Sequence, residues 1–165
     1  MVRRWRAGEI VTTPAPDGIK LRDLVLEDGE ELGRLLWSGF GSEGLDGFAS
    51  ASTAQEEAKT ALAGRWGPIV WPASVLAVSG QSPVAASVVL RDDAHHRWPL
   101  LGFLVTDPGY QRRGIAKSVL TETLWRMDSL DMRELHLAVV PKNPARTLYS
   151  RLGFREEPPG APLPA

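Results

Sequence analysis

The stretch that most constrains the fold runs from Leu100 to Lys117 and reads Leu-Leu-Gly-Phe-Leu-Val-Thr-Asp-Pro-Gly-Tyr-Gln-Arg-Arg-Gly-Ile-Ala-Lys. Leu100 to Val105 is an almost unbroken apolar run, with the length and character of a strand buried on both faces. Asp107-Pro108-Gly109 then breaks the strand. Beyond the break, Ala116, Val119, Leu120, Leu124 and Met127 recur at helical spacing. A buried strand therefore feeds a helix N-terminus through a basic, glycine-containing turn. Such a terminus offers unpaired backbone N–H groups and the positive end of the helix dipole, and both favour phosphate.

Two phosphate-loop types can be tested against this stretch. Gly109 and Gly114 have the spacing of a GxxxxGK[ST] loop, but Ile115 stands where that motif needs lysine, and Lys117 comes two places too late. No GxGxxG falls within this stretch, which argues against a dinucleotide site here. What remains is Gln111-x-x-Gly114-x-Ala116 after a strand ending in Val-Thr-Asp-Pro. Downstream, Leu135, Leu137 and Val139 alternate along a strand read as Glu134 to Val140. Asn143-Pro144 has the form of a helix start, with Asn as N-cap and Pro in the first turn. Ala145, Leu148, Tyr149 and Leu152 make one helical face, and Gly153 stands where a left-handed terminator belongs.

Taken together, Gln111-x-x-Gly114-x-Ala116 and the run from Asn143 to Phe154 resemble the two signatures of the GNAT superfamily of N-acetyltransferases. They stand in the right order, with a helix and a strand between them. Each is common alone, and the pair is far more specific. The resemblance covers roughly residues 19–154. It implies an acyltransferase that uses acetyl-coenzyme A as co-substrate and a primary amine, on a small molecule or a peptide, as acceptor.

Composition narrows the classes further. A chain of 165 residues with 43% hydrophobic content reads as one globular domain, residues 1–165. A net charge of -1 gives no sign of a nucleic-acid partner. No apolar run approaches membrane-spanning length, so no membrane partner is expected. Arg3-Arg4-Trp5-Arg6 is not followed by an apolar segment, so no secretory signal is expected. The absence of cysteine removes disulfides, thiolate metal ligands and an acyl-cysteine intermediate, and a cytoplasmic protein is the plain reading.

Along the chain, residues 1–17 read as an extended lead-in and 19–26 as a first strand. Asp28 with Glu31 suggests a capping box ahead of a helix with Leu32, Leu35, Leu36 and Phe40 on one face. Residues 39–52 read as a loop, and Thr53 with Glu56 as a second capping box for a helix to about Gly64. Trp66 and Trp71 lie in a Pro/Gly-rich stretch, where they either cover the core edge, the favoured reading, or wall a pocket. Residues 74–79 and 84–90 read as a hairpin around Gly80–Pro83. This order implies an α/β fold of the α+β type, with a mixed sheet and helices packed on it. The resemblance adds that the sheet is mostly antiparallel, with a splayed parallel strand pair and helices on both faces. After Phe154 the chain allows one short strand at 153–157, then a proline-rich tail, 158–165. The expected result is an open sheet edge that invites a homodimer.

The resemblance also assigns roles. Backbone groups of Leu104, Val105 and Thr106 would pair with the pantetheine arm. Gln111, Arg112, Arg113, Gly114, Ile115, Ala116 and Lys117 would wrap the pyrophosphate, although the basic residues also suit a solvated helix entry. Tyr149 would be the general acid toward the leaving thiolate, or a core aromatic, or both. Asn143 would reach the coenzyme, or only cap its helix. The strand before the loop carries no acid to serve as base. Asp107 reads as structural, and His136 as a core or surface histidine. Asp92, Asp93, His95 and His96 suit a polar connection better than a metal site, and no metal is expected. A different class stays open: an acyl-coenzyme A-sensing or interaction module without catalysis on the same fold.

Overall fold

The computed structural model describes residues 1–41, 47–91 and 98–156. Six strands form one sheet in the order β1-β6-β5-β4-β3-β2. They are β1 (Val2–Arg4), β2 (Ile19–Asp23), β3 (Val75–Ser79), β4 (Ser82–Arg91), β5 (Pro99–Thr106) and β6 (Glu134–His136). All neighbours are antiparallel except β5 and β6. Helices α1 (Gly29–Phe40) and α2 (Ala51–Leu62) cover one face, where Leu32, Leu36, Ala54 and Ala58 meet Leu76, Val88 and Val105. Helix α3 (Ile115–Ser129) and the short α4 (Ala145–Arg151) cover the other, where Leu120, Leu124, Met127 and Tyr149 meet Val89, Leu101 and Leu135. The mixed sheet, its one parallel pair and the helices on both faces agree with the expected class. Among the described residues no helix is long and apolar enough to cross a membrane.

The strand buried throughout is β4, from Val84 to Leu90, not β5. In β5 only Leu101 and Val105 are buried, and Gly102 is exposed. The apolar composition of β5 was a correct strand signal and a wrong burial signal, because its neighbour β6 leaves it after one residue pair, Leu100 with His136. Strand β6 is correspondingly shorter than the expected 134–140.

The N-terminal residues are part of the fold rather than a lead-in. Strand β1 pairs with β6, and Val2 and Arg155 exchange backbone hydrogen bonds of 2.8 Å on its other side. The edge of β6 is thus covered by β1 from within the chain, and of the expected strand at 153–157 the described residues 153–156 form a single bridge, at Arg155. The segment then follows α3. Trp5 Nε1 donates to Asp128 Oδ1 (3.0 Å), Gly8 N–H to Asp128 Oδ2 (2.9 Å) and Thr13 N–H to Thr121 Oγ1 (2.9 Å), while Ser118 Oγ donates to Pro14 O (2.9 Å). Trp5 and Ile10 sit in the α3/α4 core. A strand of three residues is too short to show alternation, which is why the sequence hid it. Trp5→Ala should cost about 3–5 kcal/mol, a large part of the roughly 5–15 kcal/mol typical of a domain. Urea unfolding checks this. A loss below about 1 kcal/mol would show that the segment does not belong to the cooperative core.

Two caps differ from expectation. The Asp28 carboxylate makes no α1 cap bond. It accepts from Val25 N–H at 2.9 Å and holds the Arg22 guanidinium through two bonds of 2.7 Å. Burial alone would push this carboxyl up, but the bonds from Arg22 and Val25 and the guanidinium charge hold it below the usual carboxylate range. For α2 the cap is Ser50, which accepts from Thr53 N–H at 3.2 Å, so the helix starts earlier than Thr53. Trp71 is half-buried against the α1/α2 core, as favoured, whereas Trp66 is exposed. The tail at 158–165 and the cluster of Asp92, Asp93, His95 and His96 lie outside the described residues.

Candidate active site

The site begins with the parting of β5 and β6. In the β4–β5 ladder Val88 faces Phe103 and Val89 faces Leu101, so Gly102 is an extra, unmatched residue in β5. Such a bulge bends its strand. A Cβ there would lie 2.9 Å from Leu90 Cδ2, so any larger residue would make the end of the Leu90 side chain shift. The bend falls just beyond Leu100, the last residue of β5 paired with β6. Beyond it β6 stays tied to β1, with Leu137 N–H donating to Met1 O (2.8 Å) and the Met1 amino group to Leu137 O (2.7 Å). One strand bends away, the other is held, and a cleft opens between them.

Register decides which backbone groups face that cleft. Asp107 N–H donates to Val84 O at 2.8 Å. Antiparallel alternation then directs Val105 toward Ala86 in β4 and turns Leu104 and Thr106 toward the open edge. Thr106 O already accepts from Gln111 Nε2 at 3.2 Å. Of the three expected backbone contacts, Leu104 and Thr106 have the orientation for them, and Val105 faces the sheet.

Past Thr106 the chain turns sharply. Asp107 Oδ1 accepts from Gly109 N–H at 2.9 Å, the structural role expected of it, and Pro108–Tyr110 forms a 3-10 turn. Arg112 (φ 63°) and Gly114 (φ 85°) are both left-handed. They swing the chain into α3, whose first intrahelical bond runs from Ser118 N–H to Gly114 O. The N–H groups of Ile115, Ala116 and Lys117 precede that bond and point out of the helix end. Ile115 is 1% exposed and anchors the helix, whereas Gln111, Arg112, Arg113, Gly114 and Lys117 are exposed and Ala116 is half-buried. The Arg113 guanidinium lies 5.0 Å from the Tyr110 ring centroid, within cation–π range. A Cβ on Gly114 would meet nothing within 4 Å, so the loop faces open space.

On the α3/α4 side of the cleft stands Tyr149, 6% exposed, in the cluster that holds Leu101 of β5 and Leu135 of β6. Phe154 meets its ring edge-on at 5.8 Å. Asn143 Oδ1 accepts from Ala145 N–H at 2.8 Å, so its oxygen serves the helix start, and Gly153 (φ 86°) ends α4 as expected. On the α1/α2 side a pocket of about 300 Å³ reaches Asp107, with Glu31, Arg34, Trp37 and Gln55 in its wall. The sequence reading missed the Gly102 bulge, although glycine inside an apolar strand is a recognised sign of one.

A strand, a bulge, an opened parallel pair and a helix entry lined by amides and cations fit a long anionic donor. The family model of the acetyltransferase (GNAT) domain matches residues 72–156, more than half of the 165-residue chain. The chain belongs to the GNAT family. Acetyl transfer from acetyl-coenzyme A is the reaction of GNAT enzymes. No curated protein matches by sequence.

Solved structures agree on the fold. A GCN5-related N-acetyltransferase from Sphaerobacter thermophilus is 19% identical, with a TM-score of 0.68 over 92% of this chain and 45% of its own. The ribosomal-protein-S18-alanine N-acetyltransferase of Escherichia coli is 17% identical, with a TM-score of 0.64 over 85% of this chain and 79% of its own. AAC(6')-Iy, solved with the bisubstrate analog CoA-S-monomethyl-acetylneamine, is 15% identical, with a TM-score of 0.60 over 84% of this chain and 91% of its own. The chain thus spans about half the length of the first of these, and 48% of a Pyrococcus horikoshii protein of the same fold.

Proposed function

We propose that this GNAT domain, residues 1–165 acting as one unit in the cytoplasm, moves an acetyl group from acetyl-coenzyme A to a primary amine on a small molecule or a peptide. The observation that carries the reading is the open edge of β5 leading into the amide-lined start of α3. Ile115, Ala116 and Lys117 hold the pyrophosphate through backbone N–H groups, and Arg112, Arg113 and Lys117 add charge. Leu104 and Thr106 hold the pantetheine amides by their outward backbone groups, with Val105 packing behind them. The nitrogen side of the Asn143 amide reaches the coenzyme while its oxygen caps α4. The bound thioester supplies the activated acyl carbon. Tyr149 gives a proton to the sulfur as the carbon–sulfur bond breaks.

Transfer is direct, within a complex of both substrates. The chain has no cysteine to carry the acetyl group, and the cleft holds donor and acceptor side by side. Coenzyme A release with a panel of polyamine, aminoglycoside and peptide amines, followed by initial-rate analysis, tests this. Intersecting double-reciprocal lines are expected. Parallel lines, or an acetylated enzyme isolated without acceptor, would overturn direct transfer.

A further inference from the structure

Strand β1 does more than cover the edge of β6, because one of its side chains reaches the helix that carries Tyr149. Arg3 pairs with Leu135 across the β1–β6 ladder. Directly opposed residues of an antiparallel pair share a face, so Arg3 projects with Leu135 on the side of α3 and α4. Its side chain is 15% exposed there, and Nη1 donates to Leu152 O at the C-terminus of α4. Glu9 Oε1 lies 4.0 Å from Arg3 Nη2, and Glu9 Oε2 in turn accepts from Arg6 N–H at 3.0 Å.

Helix α4 has seven residues, too few to stand on its own hydrogen bonds, so its placement is set by what grips its ends. Its C-terminus closes in a Schellman turn on Gly153. Phe154 N–H donates to Tyr149 O at 3.0 Å and Gly153 N–H to Ser150 O at 3.1 Å. The Phe154 ring meets the Tyr149 ring edge-on, the apolar contact that accompanies such a turn. Tyr149 is therefore the residue on which the turn closes, through both its carbonyl and its ring. Neither of those two bonds uses Leu152 O, the carbonyl that Arg3 takes. A Cβ on Gly153 would lie 3.7 Å from Arg3 Nε and 3.8 Å from Cζ, so the guanidinium packs on the turn itself. A cation at this end also complements the helix dipole.

We propose that Arg3 is a positioning residue for Tyr149, fixing the end of α4 so that the phenol stays within reach of the donor sulfur. The inference rests on the acid role given to Tyr149 under Proposed function. Tyr149 lies in the last turn of α4, where a helix frays first. A misplacement of about 1 Å in a reacting group can cost about a hundredfold in rate, so a small loosening of this turn is felt in the chemistry.

The test uses Arg3→Met, which keeps an apolar stem, Arg3→Lys, which returns a donor and the charge, Tyr149→Phe, and Arg3→Met combined with Tyr149→Phe. The readouts are kcat and donor KM with whichever panel amine reacts, and the NMR signals of the tyrosine rings. The chain has two tyrosines, so the signal missing from Tyr149→Phe is assigned directly. Arg3→Met should lose about tenfold or more in kcat, keep donor KM within about twofold, and move the Tyr149 signal while leaving that of Tyr110 in place. Arg3→Lys should recover most of the lost rate. In the Tyr149→Phe background Arg3→Met should cost nothing further, because a residue that acts through the phenol has no effect once the phenol is gone. An equal loss in both backgrounds is the mark of a merely structural role and overturns the proposal. So does a folded Arg3→Met with the wild-type kcat, or with an unmoved Tyr149 signal. If Arg3→Met does not fold, Arg3→Gln is read by the same criteria. Failure of the acid reading looks different, because Tyr149→Phe alone would then keep the wild-type kcat.

Discussion

Gly114→Glu should lose acetyl-coenzyme A affinity by about a hundredfold or more while the domain stays folded. Strain and charge act together. Gly114 has φ 85°, where a side chain costs about 1–2 kcal/mol. Its Cβ would project into the open space before the loop, where nothing lies within 4 Å, so no core contact is disturbed. The carboxylate would then stand among the N–H groups that are assigned to the pyrophosphate, replacing attraction by repulsion. Each 1.4 kcal/mol is tenfold in affinity, so strain and charge together reach that size. Gly114→Asn separates them, because asparagine tolerates the left-handed region and brings no charge. It should bind more weakly than wild type and more tightly than Gly114→Glu. Calorimetry on the three proteins gives the order. Equal affinities would move the pyrophosphate away from residues 111–117.

The parts of this molecule that were legible in the sequence are those specified by neighbours in the chain. Asp107-Pro108-Gly109 ends β5, Gly114 opens α3 and Gly153 closes α4 because each conformation is set within a few residues. Strand β1 was not legible. Its partner is 134 residues away in the Val2–His136 pair, and its own run holds one valine and two arginines. Trp5 gave no pattern either, since what buries it is α3, reached only after the chain has crossed the whole sheet. At β5 the apolar run was read correctly as a strand and wrongly as covered, because composition records that a surface is apolar and not what lies against it. The caps failed for a third reason. Ser50 and Thr53 are both good cap residues three positions apart, and Asp28 was drawn off its helix by Arg22, a choice made by geometry.

The same limit applies to the chemistry. Gln111-x-x-Gly114-x-Ala116 was legible as a loop, but the orientation of Leu104 and Thr106 depended on one hydrogen bond, Asp107 N–H to Val84 O, which fixes the phase of the β4–β5 ladder. His136 was ambiguous for a related reason. Its neighbours Leu135 and Leu137 show that it faces away from one core, but only the register with Leu100 shows that it stands at the end of the cleft.

Tyr149→Phe isolates the proton transfer to the leaving thiolate. The ring is 6% exposed and packs edge-on against Phe154, so removing only the hydroxyl keeps the packing with Leu101 and Leu135. The fold should survive with a stability change of about 1 kcal/mol. If the phenol protonates the departing thiolate, kcat should fall on the order of tenfold to a thousandfold. The donor KM should move little, since the lost interaction belongs to the transition state. Steady-state kinetics with chemistry shown to be rate-limiting decides the matter. An unchanged kcat would make Tyr149 a packing residue of the α3/α4 core and place the acid for the sulfur elsewhere in the cleft.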